Sequence, residues 1–373
     1  LQIAQEGIVL LKNEGNLLPL RSVPEPAEGP SPLKRILVVG ENVVKMMTVG
    51  GGSSSLKVQR EVLPLDGLQS LITDHPLPFT LEYVRGYVGD TVQSYNGVTV
   101  GRSIAEHRTP AELRAEAVEK ARMADVVIVF GGLNKSDFQD CEGHDRRQYE
   151  LPYEQNELVE ALAQVNRNIV FVNISGNAVA MPWLEKVPAV VQGWFLGSEA
   201  GHALADVLTG RVNPSGKLPF TWFRQLNDVG AHRLGTYPGT WREGQGIIDE
   251  EYKEDIFVGY RWADRQKIKP LFAFGHGLSY TTFNVSVNGN SGNEVRGTGN
   301  AVSVNATVTN TGTMAGAETI QLYVSDRKSS VVRPVKELKA FQKVFLQPGE
   351  SKTVTLTIDR RALSLWNELT NEW

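Results

Sequence analysis

The 373-residue chain contains one cysteine, Cys141, so it can form neither an intrachain disulfide nor a cysteine-cluster metal site. Cys141 sits among acidic and polar residues, a setting that disfavours a thiolate, and it reads as a small packing residue and not a nucleophile. The six histidines fall at neither HxH nor HExxH spacing, and no metal is expected. A basic excess is also missing. Lys and Arg total 38 against 42 Asp and Glu, a net charge of −4, which argues against nucleic acid or an acidic membrane surface as a partner. No apolar run approaches the roughly 20 residues of a membrane span. Residues Leu1–Gly7 lack an initiator Met, a basic region and the apolar core of a signal peptide, and read as the middle of a helix. The chain stops at Trp373 in what reads as unfinished β structure, so a piece of a longer protein is expected.

What is present is a change of period along the chain. After a short apolar helix within residues 1–20, a proline-rich linker is expected over 22–34. Arg35–Gly40, Leu81–Val84, Val127–Phe130, Ile169–Ile174 and Val187–Trp194 then read as strands. Helical patterns over Thr109–Met123, Glu154–Val165 and Glu199–Leu208 alternate with them. This alternation predicts an α/β sandwich domain with a largely parallel sheet, placed at 35–223. Residues 224–280 form an aromatic-rich connecting segment, expected to be ordered and packed along the first domain. From 281 the apolar period becomes two, with turns at Asn310–Gly312 and Gln347–Glu350. An antiparallel β-sandwich is predicted over 281–373.

The stretch Ala124–Leu158 organises the rest. Its apolar strand is expected to stop at Gly131 and Gly132, giving way to a loop that crowds Asp137, Asp140, Glu142, Asp145, Arg146 and Arg147 together. Ligands of open α/β sheets bind at the carboxyl ends of strands, and this loop leaves from such an end. The same charges also suit a solvated surface loop whose members pair with one another. Gly50–Ser55, a glycine- and serine-rich run after a strand, carries no GxGxxG and no GxxxxGK[ST] fingerprint, which disfavours a nucleotide site. It suits a turn lining a cleft, with amides and hydroxyls for polar ligand groups, and equally a plain connection.

With these pieces placed, the sequence resembles glycoside hydrolase family 3, in the part that follows that family's barrel. The resemblance rests on Glu6–Asn13 with Leu17–Leu20, Gly50–Ser53, Glu142–Arg146 with Leu151, Pro152 and Gln155, Asn213–Pro219, Ile256–Arg261 and Phe274–Thr281, all in colinear order. It implies a barrel, an α/β sandwich and a fibronectin type III-like domain, of which residues 1–34 are the helix and linker from the absent barrel. It also implies a retaining exo-acting β-glucosidase working through a covalent glycosyl-enzyme, with β-xylosidase or arabinofuranosidase as variants. The nucleophile aspartate belongs to the barrel and so lies outside this chain, which alone is expected to be inactive. The last sandwich strand is likewise expected to be missing.

By the same resemblance Glu142 is the general acid/base, with Asp140 and Asp137 as rivals. Partial desolvation of a loop glutamate would raise its pKa towards a useful value. Gly51, Ser53 and Phe138 are candidate substrate-binding residues. Asp145 and Arg146 are expected to structure the loop as an ion pair, with substrate contact as the alternative. Two carboxylates need no metal or cofactor. The implied partners are an oligosaccharide or β-glucoside substrate and the missing barrel, and a homo-oligomer stays open. A non-catalytic carbohydrate-binding or scaffold fragment is the competing reading. The wording of Val44–Lys57 resembles bacterial sequences and sequons stand at Asn134, Asn173, Asn284 and Asn305, so a periplasmic or secreted location is expected.

Overall fold

A computed structural model describes residues 1–20, 34–74, 79–89, 94–95, 98–100, 105–142, 144–288 and 301–373. The linker expected at 22–34 lies, but for its last residue, outside the described residues. The chain forms two compact units. One comprises Leu1–Lys217 with His276–Leu278, the other Leu218–Gly275 with Ser279–Trp373.

The first unit holds α1 (Gln2–Gly7), β1 (Val9–Asn13), β2 (Lys34–Val39), α2 (Pro64–Asp74), β3 (Phe79–Val84), β4 (Ser94–Tyr95), β5 (Val98–Thr99), α3 (Pro110–Ala121), β6 (Val126–Gly132), α4 (Gln155–Ala163), β7 (Ile169–Ile174), β8 (Ala189–Gln192) and α5 (Ala200–Thr209). Its six-stranded sheet has the order β1-β8-β7-β6-β2-β3, and the pairings are parallel except at β1, which runs antiparallel to β8. Every residue of β6 and of β7 is buried, as continuous apolar runs must be when helices cover both faces. Packing of α2 on α5 and of α3 on α4 supplies the two helical layers. The α2–α5 contact is close because both helices present glycine. A Cβ on Gly67 would lie 2.2 Å from the Gly201 backbone. Thr109 starts α3 with a capping box to Glu112, and Pro110 fills the first helical position, where its missing N–H costs nothing.

Two local expectations change. Residues 9–13 are an edge strand of this sheet, so the N-terminal segment is built into the α/β unit and its helix is only α1. Gly131 and Gly132 do not end β6. They pair with Asn173 and Ile174 as its last residues.

The second unit contains α6 (Gly230–Leu234), β9 (Thr240–Arg242), β10 (Ile247–Asp249), α7 (Tyr260–Gln266), the strands β11 (Phe283–Asn288), β12 (Ala301–Asn310), β13 (Gly316–Val324), β14 (Glu337–Leu346) and β15 (Ser351–Asp359), and α8 (Arg360–Leu363). Residues 218–223 belong here and not with the α/β sheet, because Trp222 bridges to Phe272 and the Gly275 N–H donates to the Leu218 carbonyl at 2.8 Å. The aromatic segment has its own small core of Phe223, Phe257, Trp262 and Ala263. Sheets β11-β12-β15 and β13-β14 are antiparallel and close on Ala306, Val308, Val344, Leu346 and Val354. Among the described residues no helix is long and apolar enough to cross a membrane.

His276 returns to the first unit, where its Nε2 lies 2.8 Å from the Leu11 carbonyl. Burial pushes this imidazole below its usual pKa, against the opposing pull of that carbonyl. The unfolded chain therefore takes up the proton first. Stability is full above the unfolded value of about 6.5 and falls as the pH drops below it, until the folded histidine protonates too. The melting temperature is expected to fall between about pH 7.5 and about pH 5.5, and His276→Gln to flatten that decline. A slope unchanged in the variant would assign the loss to other groups.

Candidate active site at the switch point of the sheet

Strand order reverses between β2 and β6: the chain leaves β2 towards β3 on one side and runs from β6 to β7 and β8 on the other. Loops from the carboxyl ends of two neighbours at such a point diverge and leave a crevice. Here the β2 loop supplies Gly51, Ser53 and Ser54, the β6 loop supplies residues 139–142 and 144–146, and a third loop after β7 adds Gly176 and Asn177. Together they line an open cleft of about 630 Å³.

The exits from the sheet are held by side-chain amides. Asn42 Nδ2 donates to the carbonyls of Gly131 at 3.1 Å and Leu133 at 3.0 Å. Gln155, buried at the start of α4, accepts from the Gly132 N–H and donates to its carbonyl, both at 2.8 Å. The loop therefore starts from a fixed peptide although its own backbone is irregular.

The glycine turn is built for close approach. Gly50, Gly51 and Gly52 have φ of 92°, 79° and 84°, values that L side chains rarely adopt. Ser55 Oγ accepts from the Gly50 N–H at 3.0 Å. Glu142 docks on this turn twice: its N–H donates to the Gly51 carbonyl at 3.0 Å, and its Oε2 accepts from the Ser53 N–H at 2.6 Å. A Cβ on Gly52 would lie 2.9 Å from Glu142 Cβ. Glu142 is otherwise exposed. The Ser53 hydroxyl and N–H hold its carboxyl below the usual range, so the rise expected from desolvation is not found in this chain.

Asp140 behaves in the opposite way. Burial pushes its carboxyl up, while the Gly176 N–H, donating to Oδ2 at 2.7 Å, and the charge of Arg146 pull it back. Its own N–H donates to the carbonyl of Asn134, a nearly fully buried residue. Asp140 thus ties the β6 loop to the β7 loop. Arg146 donates from Nη2 to the Ala178 carbonyl at 2.7 Å and feels the charge of Asp140; Asp145 lies exposed at the cleft rim. Gly51 and Ser53 line the cleft as expected. Phe138 does not. Its ring packs on His144, 4.7 Å between centroids, with the Arg147 guanidinium 3.7 Å from its own centroid. Asp137 is exposed, and its Oδ1 lies 3.7 Å from His144 Nδ1.

Sequence reasoning did not single out Gly176, whose contribution is a backbone N–H that no residue type announces. It also missed that Asp137, Cys141 and His144 converge, since a D-x3-C-x2-H spacing on a loop matches no paired-ligand pattern. Of the sequons, Asn134 and Asn173 are buried.

The model of the glycosyl hydrolase family 3 C-terminal domain matches residues 8–280, most of the chain. The chain belongs to glycoside hydrolase family 3. A fibronectin type III-like domain matches residues 318–373. The chain is 48% identical to the beta-glucosidase BoGH3A of Bacteroides ovatus over 375 aligned residues, covering 100% of this chain and 47% of that protein. It is 39% identical to an exo-alpha-(1->6)-L-arabinopyranosidase of Bifidobacterium breve, covering 100% of this chain and 44% of that protein. Among solved structures, a family 3 β-glucosidase from Bifidobacterium adolescentis superposes with a TM-score of 0.80 at 34% identity, over 100% of this chain and 48% of its own. The chain thus spans about half the length of the family 3 relatives it matches.

One consequence of the docking is directly measurable. Gly52→Ala places a methyl group against Glu142 on a backbone with φ of 84°. The strain is expected to cost about 1–2 kcal/mol of stability. It should also speed amide exchange at Ser53, whose acceptor is displaced. Unchanged Ser53 protection would mean that the turn and Glu142 are not coupled.

Proposed function

We propose that this chain is the acid/base-bearing part of a retaining, exo-acting β-glucosidase that removes terminal β-D-glucosyl residues from oligosaccharides or glycosides. The observation that carries the reading is Glu142: an exposed carboxylate at the rim of a cleft at the sheet's switch point, held by one turn. A carboxylate so placed can reach a sugar bound against a second domain. The names of the relatives support the substrate class, and the Bifidobacterium breve relative keeps a pentopyranoside as the second reading.

In the proposed cycle a barrel aspartate outside these residues attacks the anomeric carbon while Glu142 gives its proton to the leaving oxygen. Water then attacks the glycosyl-enzyme as Glu142 takes the proton back, the two carboxyl groups standing about 5 Å apart. To deliver the proton, Glu142 must exchange the Ser53 hydrogen bonds for the glycosidic oxygen. Asp140, spent on the Gly176 N–H, anchors the loop.

The test assays an alkyl and an activated aryl β-glucoside with the chain alone and with the longer protein implied by the relatives' lengths, each with and without Glu142→Ala. Activity is expected only in the longer form. A chain active by itself would place the nucleophile within these residues. A longer form inactive on every glycoside would favour the binding or scaffold reading.

A further inference from the structure

The side chains of Asp137, Cys141 and His144 bring one oxygen, one sulfur and one nitrogen within 4.8 Å of one another on the β6 loop. None of these atoms is used by the glycosidase reading. We infer that they form a binding site for one divalent cation of the Zn²⁺ class, and that its occupancy pins the loop carrying Glu142.

The donor set fits that class. Thiolate and imidazole select borderline transition cations over Mg²⁺ or Ca²⁺, and a carboxylate oxygen is a third donor type that Zn²⁺ accepts. The Nδ1–Oδ1 separation of 3.7 Å is already close to the spacing that metal–ligand bonds of about 2.0–2.1 Å impose in a tetrahedral site. The Cys141 sulfur lies within 4.8 Å of both other donors, and its thiol also rests 3.4 Å from the His144 carbonyl. Phe138 packs on the His144 ring at a tilt of 45° and restricts its orientation, which accounts for an aromatic that the cleft does not use.

Charge also balances. On binding, the Cys141 thiol releases its proton to solvent, and the thiolate and the Asp137 carboxylate together neutralise a dication. All three ligands lie on one short loop, so chelation closes only small rings of chain. Cys141 and His144 line the cleft, which leaves the fourth position to water or to a molecule in the cleft. The ligands flank Glu142 on both sides in sequence. A bound cation would therefore tie down the segment that must move for Glu142 to leave Ser53.

The test titrates the untagged 373-residue chain with Co²⁺, alone and in competition with Zn²⁺ and Mg²⁺. Because Cys141 is the chain's single cysteine, a thiolate-to-cobalt charge-transfer band can arise from no other residue. The expected result is that band together with intense tetrahedral d–d absorption at one cobalt per chain, reversed by Zn²⁺ and not by Mg²⁺. Cys141→Ser should abolish the band. His144→Ala and Asp137→Asn should each weaken binding about 10–100-fold or more, at least the loss seen for supporting groups around metals. No band in the parent at saturating Co²⁺ would overturn the inference without recourse to any variant. So would equal affinity in parent and His144→Ala, with circular dichroism showing both folded.

Discussion

Glu142→Ala in the longer protein is expected to lower kcat/KM on an alkyl β-glucoside about 10²–10⁴-fold, the range that a positioned proton donor supplies. An aryl glucoside whose leaving group departs as a stable anion should lose far less in the same step, because its departure needs no proton. The contrast between the two substrates is the signature. A residue that only shapes the cleft would slow both alike, and Asp140→Asn is expected to behave that way, since it replaces the carboxylate that accepts from the Gly176 N–H by a neutral, weaker acceptor and loosens the tie between two loops. The difference is a statement about the transition state: only the step that transfers the proton feels the deletion. Equal losses on both substrates with Glu142→Ala would remove Glu142 from the acid role. If Asp140→Asn gave the contrast instead, the proton would come from the carboxyl that burial already pushes up. The Ser53 contact adds a second expectation. Because the Ser53 N–H at 2.6 Å survives the substitution, Ser53→Ala should remove only the hydroxyl's share of the docking and cost much less than Glu142→Ala.

Much of this architecture was legible because burial on both faces leaves a strong trace. Val127–Phe130 and Ile169–Ile174 could be little other than central strands, and both are fully buried. Residues 9–13 were harder. Val9–Leu11 followed by Lys12 and Asn13 is too short to separate helix from strand by period, and its pairing is settled far along the chain, by Ala189–Gln192 of β8. Gly131 and Gly132 misled for a related reason. Glycine weakens a strand locally, yet here Gln155 and Asn42 supply the hydrogen bonds that carry the strand through. At the site, the acids and arginines of the β6 loop marked its place, and the Gly50–Gly52 run marked a close approach. The environment of each acid was not legible. Glu142 and Asp140 stand two residues apart, and their opposite environments come from tertiary placement: Asp140 is pushed up by burial, while exposed Glu142 is held down by Ser53 on a separate loop. The binding of Arg146 to the Ala178 carbonyl is of the same kind. Local composition announces a site; the partners that tune each group are chosen by topology.

The largest expected effect on stability belongs to Gly132→Ala. Gly132 has φ of 114°, and a Cβ there would lie 2.2 Å from the Ile174 carbonyl oxygen, an atom of the neighbouring central strand. That oxygen cannot yield, because it accepts from the Leu133 N–H at 2.9 Å. The clash and the forbidden dihedral therefore act together, each worth about 1–3 kcal/mol, and the substitution should cost about 3–5 kcal/mol. The same peptide is clasped by Gln155 through both its N–H and its carbonyl. Relief of the clash by shifting Gly132 would break those bonds and leave buried polar atoms unpaired, so no cheap relaxation exists. The cost should appear as a lower denaturant midpoint with an unchanged slope, the mark of a destabilised but still cooperative native state. Gln155→Leu, which removes the clasp and adds no clash, should cost about 1–3 kcal/mol by leaving the Gly132 peptide unsatisfied. Should Gly132→Ala cost less than about 1 kcal/mol, β6 would end at Gly131 after all, and the fixed start of the Glu142 loop would have to be sought elsewhere.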